Sequence, residues 1–472
     1  MMEGFSGTLR LTDLNDFIAP TQECIKPVKI ERAGGKAGSI KITSTGEYTE
    51  VDAEGTETKL AKAEITLNDC LACSGCVTSA ETVLIQQQST DELIRILDQN
   101  AQVPVQEKKF IVLSVSDQSL ASIATRYGLS MRECQQRLTG LFKSMGVHKV
   151  FDLGVASALS LLESREEFLE RMANREIKGA LPMFASACPG WICYAEKTHG
   201  SFILPFISST KSPQQIMGSL VKHYLSTHSN KTPNEVFHVS LMMCYDKKLE
   251  ASRDDFYDDV YRTRDVDLVI TSVEVEKMLE KRLVDLRECT LENVDVLPNF
   301  EQYSGHYGSG AGGYLESIFR YAAQQLFHKD VDRVEYKTVR NQDLREVTLE
   351  IDGQPKLRFA AAYGFRNIQN IVQKMKRGKC PYDFVEIMAC PSACLNGGGQ
   401  IRAPDTEVTK DWLDKVQTRF LEYENQDLLK PAASVDAFDL WLEGKNSPKR
   451  KEFLHTQYHS LENNTFNLNI KW

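Results

Sequence analysis

Cys70, Cys73 and Cys76 follow one another at two-residue intervals (C-x2-C-x2-C). A loop with this spacing can wrap a cubane and give a thiolate to three of its four irons. Structural zinc more often uses cysteine pairs divided by a long spacer, and it stands as the alternative, with plain thiols behind it. The bacterial ferredoxin run continues x3-Cys-Pro, but Ala80 and Glu81 occupy those places here. The run therefore reads as a lone group whose last ligand comes from elsewhere, and Cys24 is the nearest candidate.

A second set is scattered. Cys188 lies in ASACPGW, Cys244 in MMCYDKKLE, and Cys390 and Cys394 in EIMACPSACLNGGGQ. Cys188, Cys244 and Cys390 each follow a short apolar run that reads as a strand. In a doubly wound sheet, sites form outside the carboxyl ends of strands, so these three can converge. Gly397, Gly398 and Gly399 would let backbone approach a bulky inorganic group. Singly, each cysteine reads as a buried structural thiol; together they read as a site.

The elements that must hold these residues alternate. Strands are expected at 110–115, 149–153, 181–185, 236–243, 266–271 and 384–388, with a helix from Asp117 through Tyr127. Such alternation predicts an α/β architecture of mostly parallel sheets flanked by helices. Residues 33–62, rich in Gly, Thr, Ser, Glu and Lys, read as a connector or long surface loop. Residues beyond 401 read as mostly helical, ending in an exposed tail. The chain is divided into an iron–sulfur segment (1–104), an α/β domain of two lobes (105–400) and a C-terminal region (401–472).

The formal net charge of −9 argues against broad binding to nucleic acid or anionic membrane. No apolar run is long enough to span a bilayer, and the N-terminus lacks a signal peptide's apolar core. Glu3, Asp13 and Asp16 do not suit a mitochondrial transit peptide. A cytoplasmic protein is expected, with the nucleus open as a second compartment. Twelve cysteines in a reducing compartment indicate metal rather than disulfides.

The three scattered segments resemble the signature motifs of the iron-only hydrogenases. They resemble more closely the eukaryotic hydrogenase-like branch, that of the nuclear prelamin A recognition factors and the cytosolic iron–sulfur assembly components. Residues 307–321 (YGSGAGGYLESIFRY) resemble the family's Gly-Gly helix start, and Cys24 with the CLACSGC run resembles the N-terminal cluster of the assembly branch. The resemblance implies an iron-only hydrogenase-like fold with a small N-terminal ferredoxin-like segment. It implies two [4Fe–4S] clusters, one on Cys24, Cys70, Cys73 and Cys76 and one on Cys188, Cys244, Cys390 and Cys394.

Hydrogenases place two adjacent cysteines before the proline of the first motif, one of them a proton relay. Here the pair is Ala187-Cys188, and alanine carries no proton. The second motif's usual proline is replaced by Met243, while Lys247 and Glu250 remain. Cys394 matches the residue that bridges to the binuclear iron site, and no extra ferredoxin domains are evident. The resemblance thus implies a non-catalytic protein that carries or relays clusters from a scaffold to a targeting complex for cytosolic and nuclear apoproteins. That complex comprises a WD40 propeller protein, a MIP18-family protein and a HEAT-repeat subunit, with neither nucleic acid nor membrane as partner. The terminal Trp472 resembles the tail by which clients dock to it; a terminal indole beside a free carboxylate is a compact anchor. A divergent hydrogenase or redox enzyme, and a prelamin-type interaction protein with structural clusters, are the rivals.

Other features carry less. His455 and His459 stand four apart, a spacing that can grip a metal, but no third ligand is recognisable. Residues 445–451 (KNSPKRK) read as a solvated basic loop. Cys134, Cys193, Cys289 and Cys380 read as spare thiols, and Gly34-Gly35-Lys36 lacks the pattern of a phosphate loop.

Overall fold

A computed structural model describes residues 81–300, 305, 307–423, 440–444 and 447–461, and the backbone alone of residues 39–42, 48–51, 57–59 and 79–80. Within 33–62, where a loop was expected, three short strands pair antiparallel: β1 (Ser39–Ile42), β2 (Tyr48–Val51) and β3 (Glu57–Lys59). These strands contain Ile40, Ile42, Tyr48 and Val51, β-branched and aromatic types that favour strands.

Two larger sheets carry the rest. One has four strands, all parallel, in the order Leu268–Thr271 (β10), Val236–Met242 (β7), Phe110–Val115 (β4) and Lys149–Asp152 (β5). Its strands are apolar on both faces, as helix-covered parallel strands must be. Ile111 and Leu113 enter one core and Val112 the other. The helix Asp117–Tyr127 leaves β4 as expected, capped by Ser116, whose hydroxyl accepts the Ser119 N–H.

The second sheet has five strands in the order Lys337–Thr338 (β11), Leu344–Ile351 (β12), Gln354–Tyr363 (β13), Phe384–Met388 (β14) and Met183–Ala185 (β6). β13, β14 and β6 run parallel, while β11 and β12 are antiparallel. The β12–β13 hairpin turns on Asp352 (φ 52°) and Gly353 (φ 71°), the pair that a two-residue turn with positive φ favours. A small hairpin of Tyr257–Asp258 (β8) and Thr263–Arg264 (β9) lies outside both sheets.

The helix Tyr314–Phe327 packs into the core of the five-stranded sheet through Leu315, Ile318, Phe319 and Ala322. Its start needs glycine: Gly313 has φ 74°, and a Cβ there would come 2.6 Å from the Tyr307 carbonyl oxygen. The helix Thr409–Glu422 buries Trp412, Val416 and Phe420 in a core of the four-stranded sheet.

The four-stranded sheet also buries polar groups, and one of them makes stability depend on pH. His238 on β7 is fully buried; its Nδ1–H donates to the Asp265 carbonyl oxygen (3.0 Å), so Nε2 accepts from the Ser114 hydroxyl (3.0 Å). Burial lowers its pKa to about 4. A depressed folded pKa leaves stability intact above the ordinary value of 6.5 and removes it as pH falls toward about 4. The loss expected over that window is about 3 kcal/mol. Urea midpoints at pH 7 and pH 4.5, compared between wild type and His238→Gln, isolate it; equal slopes in the two proteins would refute the assignment.

Candidate iron–sulfur site

Three cysteines of the scattered set follow the carboxyl end of a parallel strand, and the fourth lies one turn further on. Cys188 follows β6 and sits at the N-cap of the helix Pro189–Ile203, whose first turn Pro189 begins. Ser186 fixes the turn: its Oγ donates to the Ile387 carbonyl oxygen (2.5 Å) and accepts the Cys188 N–H (3.1 Å). The Cys188 Sγ accepts the Ala389 N–H from the neighbouring strand end at 3.4 Å, and the Trp191 N–H as well. Cys244 follows β7 and precedes the short helix Asp246–Ala251. Cys390 follows β14, and Cys394 lies in the 3₁₀ turn Ala393–Asn396. Cys188, Cys390 and Cys394 thus come from the five-stranded sheet, and Cys244 alone from the four-stranded one.

The glycine run behind Cys394 packs differently from the expectation. Gly399 donates its N–H to the Met243 carbonyl oxygen (3.0 Å), and a Cβ on it would lie 2.7 Å from the Thr271 side chain and 3.1 Å from the Cys244 Cα. A Cβ on Gly397 would lie 2.4 Å from the same Met243 oxygen. These glycines seat one cysteine loop against the other, so their close approach is to protein backbone.

The four thiols are free and act on one another electrostatically. Burial pushes Cys188 up to about 11 and Cys394 up to about 12. Cys244 and Cys390 rise well above the usual thiol range, through burial first and then through Asp246 and the other thiols of the set. Buried thiols that resist ionising together require cations among them before they become thiolates. Among the described residues, no three His, Cys, Asp or Glu side chains gather tightly enough for a single metal ion. Cys188, Cys244, Cys390 and Cys394 are soft donors of the kind that a multi-iron group takes.

Beside the thiols lies a cavity lined by Ala187, Gln214, Met243, Lys247, Tyr314 and Cys394. The buried Lys247 is committed to Glu250 (2.8 Å) and the Ser212 hydroxyl (3.1 Å). Gln214 gives its NH₂ to the Lys247 carbonyl oxygen (3.1 Å), while its own buried Oε1 has no partner among the described residues. The sequence reading missed Gln214; its only signal is the Ser-Pro-Gln-Gln stretch at 212–215.

Cys24, Cys70, Cys73, Cys76 and Trp472 lie outside the described residues. The helix that follows the run, Ser79–Gln87, buries Ile85 against Tyr245 and Leu249, next to Cys244.

His455 and His459 do not share an ion. His455 bridges Glu163 (2.7 Å) and Ser209 (2.8 Å), and His459 pairs with Asp255 (2.8 Å). Both lie in an extended strap, with Tyr458 donating to the Ser208 carbonyl oxygen (3.2 Å). The basic stretch before it is no loop from Ser447 onward, because Ser447 caps and Pro448 begins the helix Pro448–Leu454. Arg450 of that helix pairs with Glu163 at 2.7 Å.

Comparison with known proteins agrees with this geometry. Residues 109–398 match the family model described as the iron only hydrogenase large subunit, C-terminal domain. A variant of the [FeFe]-hydrogenase HydA1 from Chlamydomonas reinhardtii superposes with a TM-score of 0.69 at 27% identity, covering 78% of this chain and 98% of that one. The fold is therefore that of an iron-only hydrogenase-like protein. Within that class, the chain belongs to the family of the cytosolic iron–sulfur cluster assembly factors. It is 55% identical to the Xenopus tropicalis cytosolic Fe-S cluster assembly factor narfl and 50% identical to the Mus musculus cytosolic iron-sulfur assembly component 3, in each case over 100% of both chains.

Proposed function

We propose that this chain is a non-catalytic iron–sulfur protein of the cytosolic assembly machinery. It holds one [4Fe–4S] cluster on Cys24, Cys70, Cys73 and Cys76 and another on Cys188, Cys244, Cys390 and Cys394. It relays clusters between a scaffold and the targeting complex of WD40 propeller, MIP18-family and HEAT-repeat subunits, for cytosolic and nuclear clients. The observation that carries this reading is the pairing of four neighbouring thiols, two buried and two half-buried, with Ala187 in the wall of the adjacent cavity, where a hydrogenase would need a proton carrier. Full-length likeness to named assembly factors supports it. The rival redox reading draws on the same cavity, where Lys247, Gln214 and Cys394 keep polar and thiol groups together.

One preparation tests both. Anaerobically purified protein is expected to contain about eight irons and eight labile sulfides, to evolve no hydrogen above a no-protein control, and to capture the targeting complex. Deleting Trp472 is expected to weaken that capture about tenfold or more, since an aromatic anchor of a small interface is worth about 2 kcal/mol. Stoichiometric zinc would overturn the cluster assignment, cluster-dependent hydrogen production would favour the enzyme, and unchanged capture would remove the tail from the docking site.

A further inference from the structure

The four walls of the cysteine site are not equally closed. Cys188 packs in one core with the fully buried Trp191, and shares with Tyr458 of the strap the lining of a small cavity. Cys244 is backed by Gly399 and Thr271 on one side, and by the Tyr245–Leu249–Ile85 cluster on the other. Cys394 faces the internal cavity. Between Cys390 and Cys394, by contrast, Pro391 and Ser392 are exposed to solvent.

That thin wall is also strained. Ser392 and Ala393 have φ of 58° and 59°, two successive non-glycine residues in the left-handed region. Side chains there crowd the following carbonyl, so such a conformation persists only where neighbours enforce it. The neighbour is Asp343, at the start of the β12–β13 hairpin. Its Oδ1 accepts the Ser392 N–H at 2.7 Å, a charge-assisted bond to the strained residue itself. Asp343 is held in turn: its N–H donates to Asn341 Oδ1 (3.0 Å), and its carbonyl oxygen accepts the Tyr363 N–H (2.8 Å). Asn341 Oδ1 also accepts from Asn367 (3.1 Å), whose amide reaches the Tyr363 carbonyl oxygen as well (2.9 Å).

We propose that Asp343 is the positioning residue for the Cys390–Cys394 loop, and that the Pro391–Ser392 edge it fastens is where the iron–sulfur group enters and leaves this site. The inference rests on the four-cysteine reading given above. Asp343 touches no thiol; it acts by holding Ser392, and through it the spacing of Cys390 and Cys394. When that bond is lost the loop relaxes toward ordinary backbone angles, and Cys390 moves away from the other three thiols.

The test uses the full chain, purified anaerobically, with bathophenanthroline disulfonate as iron acceptor. Loss of each cluster's own spectroscopic signal is followed in time. Asp343→Ala is expected to speed loss of the second-site signal about tenfold or more, the usual scale for removing a group that orients a metal ligand. The N-terminal signal should decay as before. Asp343→Asn keeps an acceptor oxygen and should restore most of the wild-type rate, which a merely structural role would not predict. Asp285→Ala, which removes a comparable carboxylate-to-backbone bond in the turn before Cys289 (from the Arg287 N–H, 2.9 Å), should leave the rate unchanged. A wild-type rate in Asp343→Ala, or equal acceleration by Asp285→Ala, would overturn the proposal. Should Asp343→Ala misfold, Asn341→Ala, an exposed change that unseats Asp343, takes its place under the same criterion. Persistence of the second signal in a Cys188→Ser, Cys244→Ser double variant would instead overturn the four-cysteine reading itself.

Discussion

Replacing Cys244 with serine is expected to halve the iron content, from about eight to about four per chain, while the signal of the N-terminal run persists. Cys244 is the sharpest of the four positions to test because it alone comes from the four-stranded sheet. The other three leave β6 and β14, which are neighbours in one sheet and can hold their mutual positions without it. Cys193, a partly buried thiol raised to about 12 by burial, lines a cavity with Cys188, and Cys193→Ser alone should leave the iron content at about eight. The loaded wild type should also melt higher than the Cys244→Ser variant, because binding energy realised only in the folded state adds to stability. Cys289→Ser is the control, since Cys289 makes only a long contact to the Asp285 carbonyl oxygen (3.7 Å). Wild-type iron in Cys244→Ser would remove this residue from the site.

Glu386→Ala is expected to destabilise the protein by about 3 kcal/mol or more, whereas Glu386→Gln should cost about 1 kcal/mol or less. Glu386 lies on β14 with 1% exposure, and two elements depend on its carboxylate. Tyr363 OH on β13 donates to Oε1 (2.5 Å), and the Leu315 N–H in the first turn of the helix Tyr314–Phe327 donates to Oε2 (2.8 Å). Alanine strands both donors inside the core; glutamine retains an acceptor. The pH dependence separates charge from geometry. Burial raises the Glu386 pKa, against the lowering effect of Tyr363 and Leu315. A carboxyl whose folded pKa is raised binds its proton more tightly when folded, so its contribution is present at low pH and is lost as pH rises from the ordinary glutamate range through the folded value. Relative to Glu386→Gln, the wild type should therefore lose stability across that rise. Parallel pH profiles of the urea midpoint would show that the carboxyl is unshifted, and would reject this account.

The parallel strands were legible because strands covered on both faces are continuous apolar runs, and FIVLSV, VFHVSLM and FVEIM stand out from their surroundings. Cysteines that end such runs announce themselves for the same reason, and Cys188, Cys244, Cys390 and Cys394 do converge. The antiparallel part was not read. LREVTLEI alternates charged and apolar residues on an edge hairpin, and its one strong signal, Asp352-Gly353, lies in a stretch with no chemistry to draw attention. Asp343 and Glu386 were missed because their value comes from partners far away in sequence, Ser392 and Leu315. The spacing of the histidine pair suits a shared ion only on a helix: four residues apart there is one face, but beyond Leu454 the chain is extended and the two rings part.

The place of β14 in its sheet has a consequence for the order of events during synthesis. β6, which presents Cys188, finds its partner strand in β14, and 201 residues separate Cys188 from Ala389, the donor that meets its sulfur. At 5–20 residues per second, a ribosome needs roughly 10–40 s to cover that interval. For that time Cys188 and then Cys244 exist as thiols without the strand that completes their surroundings. Nothing that needs all four thiols can therefore bind before Cys390 and Cys394 have been made, and until then two thiols stand open to oxidation.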